Sequence, residues 1–124
     1  MATKSYIVDM DGASVDASTV TKPSDRHFRR AWKLSGSTIS EDMTKAKEIF
    51  KDKIRSVRQP LLDAEDVVYM KALEASDSSA QTASIAKKKA LRDAPAASAI
   101  GSADTIAKLK AAWDTSTLGD SPYA

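Results

Sequence analysis

The residues with the most chemical potential fall in a few short stretches. His27 is the chain's one histidine and lies among arginines. A histidine can act as a general base, but no serine, cysteine or carboxylate stands at motif spacing to it. A solvent-exposed or edge-strand histidine is the simpler reading. Asp9, Asp11 and Asp16 resemble the start of a calcium loop. The later glutamate and the flanking helices that such a loop needs are missing, so turn chemistry explains them better. Asp63, Glu65 and Asp66 could pair as acid and base, yet on a helix Asp63 and Asp66 are neighbours on a solvated face. The four glycines are scattered, and none belongs to a phosphate-cradling loop.

Two basic stretches remain. Arg26, Arg29 and Arg30 surround Phe28 and Trp32. Cations mixed with aromatics can hold a nucleic-acid backbone and stack a base. The competing reading pairs these arginines with the acidic stretch 59–84 of the same chain, and is favoured because those acids are present. Lys87, Lys88 and Lys89 are consecutive on a helix and so point in different directions, as on a solvated face.

The elements that position these groups must fit a chain of 124 residues, the length of one domain. Aromatics make up 6% of it, so its apolar content leans on alanine, which favours helices packed through small side chains. There is no cysteine, which excludes disulfides and thiolate metal sites. The opening residues hold no apolar run of signal-peptide length, and nothing downstream is apolar enough to span a membrane. The net charge of +2 conceals an asymmetry. Residues 1–21 carry −2, 22–58 carry +6, 59–84 carry −4 and 85–124 carry +2. A basic block followed by an acidic one suggests complementary faces, within the fold or between copies.

Tyr6-Ile7-Val8 before Asp11-Gly12, with alternation from Ser14 to Val20, predicts a weak hairpin. Phe28 to Leu34 reads as a strand with Phe28, Arg30, Trp32 and Leu34 on one face. Ser35-Gly36-Ser37 turns the chain, and Thr38-Ile39-Ser40 returns beside it. Met43, Ala46, Ile49, Phe50, Ile54 and Val57 then recur at spacings of three and four, as on an amphipathic helix. Ser40, Glu41 and Asp42 supply its cap and early negative charge. Glu48 and Asp52 lie between lysines and predict i,i+4 ion pairs.

Pro60 lacks an amide hydrogen, and its ring meets the carbonyl of Ser56. The rhythm nevertheless resumes through Leu61, Ala64, Val68 and Ala72. A single long kinked helix and two helices with Pro60 in the first turn of the second both satisfy this pattern. A further helix is expected over Gln81 to Arg92, and a short last one is capped by Ser102, with Ile106, Leu109 and Trp113 on one face. The expected organisation is mainly α (α+β), with a small N-terminal antiparallel β unit followed by three to four helices. Residues 1–40 form a hairpin or arm region, 41–113 a helical interaction region, and 114–124 a loose or partner-bound tail.

Several short motifs, taken in order, resemble a known group. They are Asp25-Arg26-His27-Phe28-Arg29-Arg30-Ala31-Trp32, Asp42-Met43-Thr44-Lys45-Ala46-Lys47-Glu48-Ile49, Lys53-Ile54-Arg55, Pro60-Leu61-Leu62-Asp63 and Tyr69-Met70-Lys71-Ala72-Leu73-Glu74. Leu91-Arg92-Asp93-Ala94-Pro95, followed by Leu109-Lys110-Ala111-Ala112-Trp113, completes the series. Together they resemble small proteins encoded near the tail-fibre genes of tailed bacteriophages, including tail- and fibre-assembly chaperones, in which an Arg-Asp-x-Pro segment precedes a tryptophan. Trp113 is followed by aspartate where that pattern has proline.

The resemblance implies a non-enzymatic protein in the virion tail, or in the host cytoplasm during assembly. The implied partner is the tail fibre, another tail protein or a second copy. No cofactor, metal, membrane or small-molecule substrate is expected, and nucleic acid is the alternative partner. The candidate partner-binding residues are Phe28, Trp32, Met43, Phe50, Ile54, Val57, Leu61, Val68 and Trp113.

Overall fold

A computed structural model of the chain describes residues 5–123. Residues 1–4 of the expected arm and Ala124 of the expected tail lie outside it. The mainly helical class with an N-terminal antiparallel β unit is what the structure has.

The β unit is two hairpins. β1 (Tyr6–Val8) pairs antiparallel with β2 (Ser14–Asp16), placing Ile7 opposite Val15. β3 (Trp32–Ser35) pairs with β4 (Thr38–Glu41), placing Trp32 opposite Glu41. The second turn has Gly36 at φ +62°, the glycine position of a tight two-residue hairpin. Asp9 locks the hairpins together. Its carboxylate accepts from the amides of Asp11 (3.0 Å), Ala13 (2.8 Å) and Leu34 (2.8 Å). The Met10 amide also donates to the Trp32 carbonyl at 2.8 Å. Two marginal hairpins thereby become one unit.

Phe28 to Leu34 is not one strand. Arg29–Ala31 form a 3-10 turn, closed by the Ala31 amide on the Phe28 carbonyl at 2.9 Å. The three-residue spacing turns Phe28 and Ala31 inward and leaves Arg29 and Arg30 exposed.

α1 runs unbroken from Met43 to Glu74, 32 residues through Pro60, so the single-helix reading holds. At 1.5 Å per residue it is about 48 Å long. Asp42 caps it by accepting from the Lys45 amide at 2.9 Å. The surface ion pairs are i,i+3 rather than i,i+4: Lys45–Glu48 at 3.7 Å and Arg55–Asp52 at 2.8 Å. α1 ends in a reversal built by Ala75, Ser76 and Asp77. The Asp77 amide donates to the Ala72 carbonyl (2.9 Å) and the Ser76 amide to that of Leu73 (3.1 Å). This is a Schellman closure with serine, at φ +53°, where glycine is usual. Asp77 then caps α2 (Ser78–Asp93).

α2 packs back along α1 through small contacts. Ser84 is buried and donates its hydroxyl to the Glu65 carbonyl at 3.3 Å. Ala72 is buried, and Lys88 pairs with Asp66 while lying over the Tyr69 ring. Arg58 donates to the Arg92 carbonyl at 2.9 Å, satisfying the end of α2.

Beyond α2 the chain turns through Ala94–Ala96, where Pro95 is buried. A short helix, α3 (Ser98–Ser102), follows and seats Ile100 in the core. Thr105, not Ser102, caps α4 (Ile106–Ala111), accepting from the Lys108 amide at 3.2 Å. α4 stops before Trp113, so Ile106, Leu109 and Trp113 do not share one helix face. Trp113 nonetheless reaches the core from the following turn.

The 114–124 segment is not a loose tail over its described residues. Asp114 caps α5 (Thr115–Leu118), and Leu118 is buried. Tyr123 stacks on Phe28 (centroids 5.0 Å) and on Phe50 (5.5 Å), with Trp113 edge-on to Phe50 at 5.8 Å. The Trp113 indole N–H donates to the Gly119 carbonyl at 3.1 Å. The core therefore joins Phe28 and Ala31, the first three turns of α1 (Ala46, Phe50, Ile54), Leu91, and the C-terminal residues Ile100, Ala103, Leu109, Trp113 and Leu118.

Three stability outcomes follow from this packing and from the backbone at Ser76. Phe50→Ala removes the ring that three elements share and costs about 3–5 kcal/mol. Tyr123→Ala costs less, about 1–2 kcal/mol, but far more than a mobile tail residue would. Ser76→Gly relieves the left-handed backbone and gains about 0.5–1 kcal/mol. Denaturant unfolding of the three variants checks all three signs.

Candidate interaction surfaces

The structure divides the nine candidate partner-binding residues. Phe28, Trp32, Phe50, Ile54 and Trp113 are buried, at 0 to 5% exposure. They are corrected from partner-binding to core: the chain consumes these side chains itself. Met43 and Val57 are half-buried against the same core. Leu61 and Val68 are exposed.

They are not alone among the exposed apolar side chains of this region. Along α1 the last side chain packed on the main core is Leu62. Twelve further residues, about 18 Å of helix, are paired with α2. Here Val67, Met70 and Leu73 of α1 and Ile85 of α2 are each about half exposed, at 48 to 54%. Val67, Met70 and Leu73 fall outside the candidate set because they lie off the three-four stripe of α1 that the core uses, and Ile85 because it stands on the next helix. A run of large apolar residues in positions that the stripe assigns to solvent was the available signal.

The segment is also acidic, with a net charge of −4 over 59–84. Among the described residues its carboxylates engage nearby groups. Asp66 pairs with Lys88, Asp63 accepts from Gln59 at 3.1 Å, and Asp77 caps α2. None meets Arg26, Arg29 or Arg30 in an ion pair, so the favoured expectation for those arginines is corrected. The acidic helices extend away from the β unit, out of the arginines' reach.

The arginines instead line a cleft of about 720 Å³. Ile7, Val8, Asp9 and Met10 from the first hairpin, His27, Trp32, and Ile49 of α1 complete its walls. The Arg29 guanidinium lies 5.8 Å from the Trp32 ring centre. Trp32 is 2% exposed, so its face cannot receive a base, and the proposed base-stacking role is corrected. His27 is held by the Asp25 carboxylate at 2.9 Å and sits edge-on to Tyr123. This ties the solvent-exposed histidine to structure. Asp9 and Asp16 do the turn work expected of them, Asp16 accepting from the Ser18 amide at 2.9 Å.

Below the cleft, Asp25 ion-pairs with Lys110 of α4, anchoring the basic loop to the C-terminal helices. The Lys110 contact, reinforced by His27, holds the Asp25 carboxyl down at about 2. Its stabilisation is present above the ordinary carboxylate range and is lost as pH falls from about 4 through 2. Glu41 behaves oppositely. Burial, then the nearby Asp25 charge, pushes its carboxyl up, and its Oε2 is buried without a partner. That destabilisation grows as pH rises past the ordinary glutamate range. Glu41→Gln therefore raises the Tm at pH 7 and has no effect at pH 3, while Lys110→Ala lowers the Tm at pH 7 and loses its effect near pH 2. Thermal melts of the two variants across pH test both signs.

No helix of the described residues is long and apolar enough to cross a membrane. Compared with protein families, curated proteins and solved structures, the chain finds no match in any of the three.

Proposed function

We propose that the chain is a non-enzymatic, bacteriophage tail-associated protein that binds the tail fibre or another virion protein through its helical surface, as a tail component or as an assembly factor. The single observation that carries the binding role is the exposed apolar set Leu61, Val67, Val68, Met70, Leu73 and Ile85, on helices that extend past the core. These six side chains are 37 to 54% exposed, so a large part of their apolar surface is left in water. Apolar surface of this kind, beside charged neighbours, suits a protein interface. The long α1–α2 pair offers a rigid helical edge, and helix-on-helix docking needs apolar side chains at such spacings. The phage setting is supported by the ordered motifs from Asp25 to Trp113. It places the protein in the virion tail or in the host cytoplasm during assembly.

Mass spectrometry of purified virions, together with a gene deletion, tests the setting. Stoichiometric presence in the particle supports a tail component. Absence from the particle, with fibre assembly failing in the deletion, supports an assembly factor. Absence with normal particles overturns both. The surface itself is tested with Val68→Asp/Met70→Asp. Both positions are exposed, so the Tm stays within about 2 °C while retention of the tail partner in co-purification falls at least tenfold. Unchanged retention contradicts the assigned surface.

A further inference from the structure

The cleft between the first hairpin and the arginine turn lies apart from the α1–α2 surface and has its own chemistry. Its wall holds the exposed side chains of Arg26, Arg29 and Arg30. Among the described residues no carboxylate lies within ion-pair distance of any of the three. The acid inside the cleft, Asp9, makes no ion pair with them, its oxygens accepting from backbone amides, and its single charge is outnumbered by the three guanidiniums. Three guanidiniums so placed attract carboxylates or phosphates, and their planar forks grip either in pairs.

The remaining wall decides between those two. Ile7, Val8, Met10 and Ile49 are apolar. The Trp32 ring is turned into the protein and offers no platform for a base, and the other ring on the wall, His27, is tied to the Asp25 carboxylate at 2.9 Å. Successive residues of a strand point to opposite faces, yet Ile7 and Val8 of β1 both border the cleft, as do Asp9 and Met10 of the turn that follows. The edge of β1, rather than one of its faces, therefore meets it. Among the described residues β1 pairs with β2 on one side and with no strand on the other. An open strand edge accepts an extended peptide by main-chain hydrogen bonds. The volume of about 720 Å³ lies within the range of small-ligand sites, which fits a few residues and not a folded helix pair.

We propose that this cleft binds a short, extended peptide segment of a protein partner in which acidic and aliphatic residues alternate, its carboxylates on Arg26, Arg29 and Arg30 and its aliphatic side chains against Ile7, Val8 and Met10. The site is independent of the exposed α1–α2 surface and stands or falls separately from it.

A fluorescein-labelled peptide Asp-Val-Glu-Leu-Asp-Val is the probe, read by fluorescence anisotropy with the full chain. Binding is expected, weakening at least tenfold between 50 and 300 mM NaCl. It is also expected to weaken at least tenfold in Arg29→Glu/Arg30→Glu, and several-fold in Met10→Ser, at an unchanged Tm. Amide hydrogen exchange is expected to slow over Tyr6–Val8 when the peptide is added. Equal binding of the amide counterpart Asn-Val-Gln-Leu-Asn-Val overturns the proposal, as does no binding at 50 mM NaCl. Tighter binding of a labelled oligothymidylate, indifferent to Met10→Ser, overturns it in favour of a nucleic-acid backbone. Should Arg29→Glu/Arg30→Glu fail to fold, Arg26→Gln/Arg30→Gln tests the same loss, and retained affinity there counts against the site.

Discussion

Phe50 is the point on which the fold turns. It lies on the second turn of α1, takes Tyr123 on one side and Trp113 at its edge, and shares Tyr123 with Phe28. These rings come from the N-terminal loop, the long helix and the last turn of the chain. None of the contributing pieces could stand alone. The hairpins are two-stranded, α3 to α5 are each one or two turns, and helices that short are marginal in water. Burial of a few large aromatics against α1 supplies what local structure lacks. The Asp25–Lys110 pair and the Lys47 ammonium on the Gly101 carbonyl (2.8 Å) tie the same three regions at the rim.

A consequence is that the two halves of α1 live in different environments. The first half presents Ala46, Phe50 and Ile54 to a core closed over by both ends of the chain. The second half has α2 as its neighbour, and the contact is made by Ser84, Ala72 and the Lys88–Asp66 pair. That contact carries a defect: an oxygen of Glu65 is buried there without a partner. Small residues let the helices approach but bury little apolar area. The large apolar side chains of this half face outward instead. The fold thus concentrates its stability at one end and leaves large apolar side chains exposed at the other. Pro60, exposed on α1 between the two, is accommodated without ending the helix.

Much of this was legible from residue spacing. Ala46, Phe50 and Ile54 announce α1 by their rhythm, and Asp11-Gly12 and Gly36 announce the two turns. The class and the order of elements followed. The strand read over Phe28 to Leu34 is present from Trp32 on and fails before it, because a short window satisfies two periods: Phe28, Arg30 and Trp32 alternate, while Phe28 and Ala31 fit a helical turn, and only burial of Ala31 decides. The C-terminal segment was unreadable for another reason. Leu118 and Tyr123 are isolated apolar residues in polar surroundings, and no local pattern says that Phe50 has a vacancy for them. The candidate surface was half legible. The stripe led to Leu61 and Val68, but rhythm cannot tell a core from an interface, so it led equally to Phe50 and Trp113. The arginine cleft needed three separated segments to meet, which spacing along the chain does not encode.

Hydrogen exchange of the free protein at neutral pH, resolved along α1, tests the division of that helix most directly. Amides around Phe50 and Ile54 should exchange only through global unfolding, and those of Val67 to Leu73, together with α2 around Ser84, through easier local opening. Protection at least a hundredfold greater in the first group is the expected result. Equal protection along the whole of α1 would contradict the account, since it would mean that the outer half is as firmly held by its own chain as the core half and has no need of a partner.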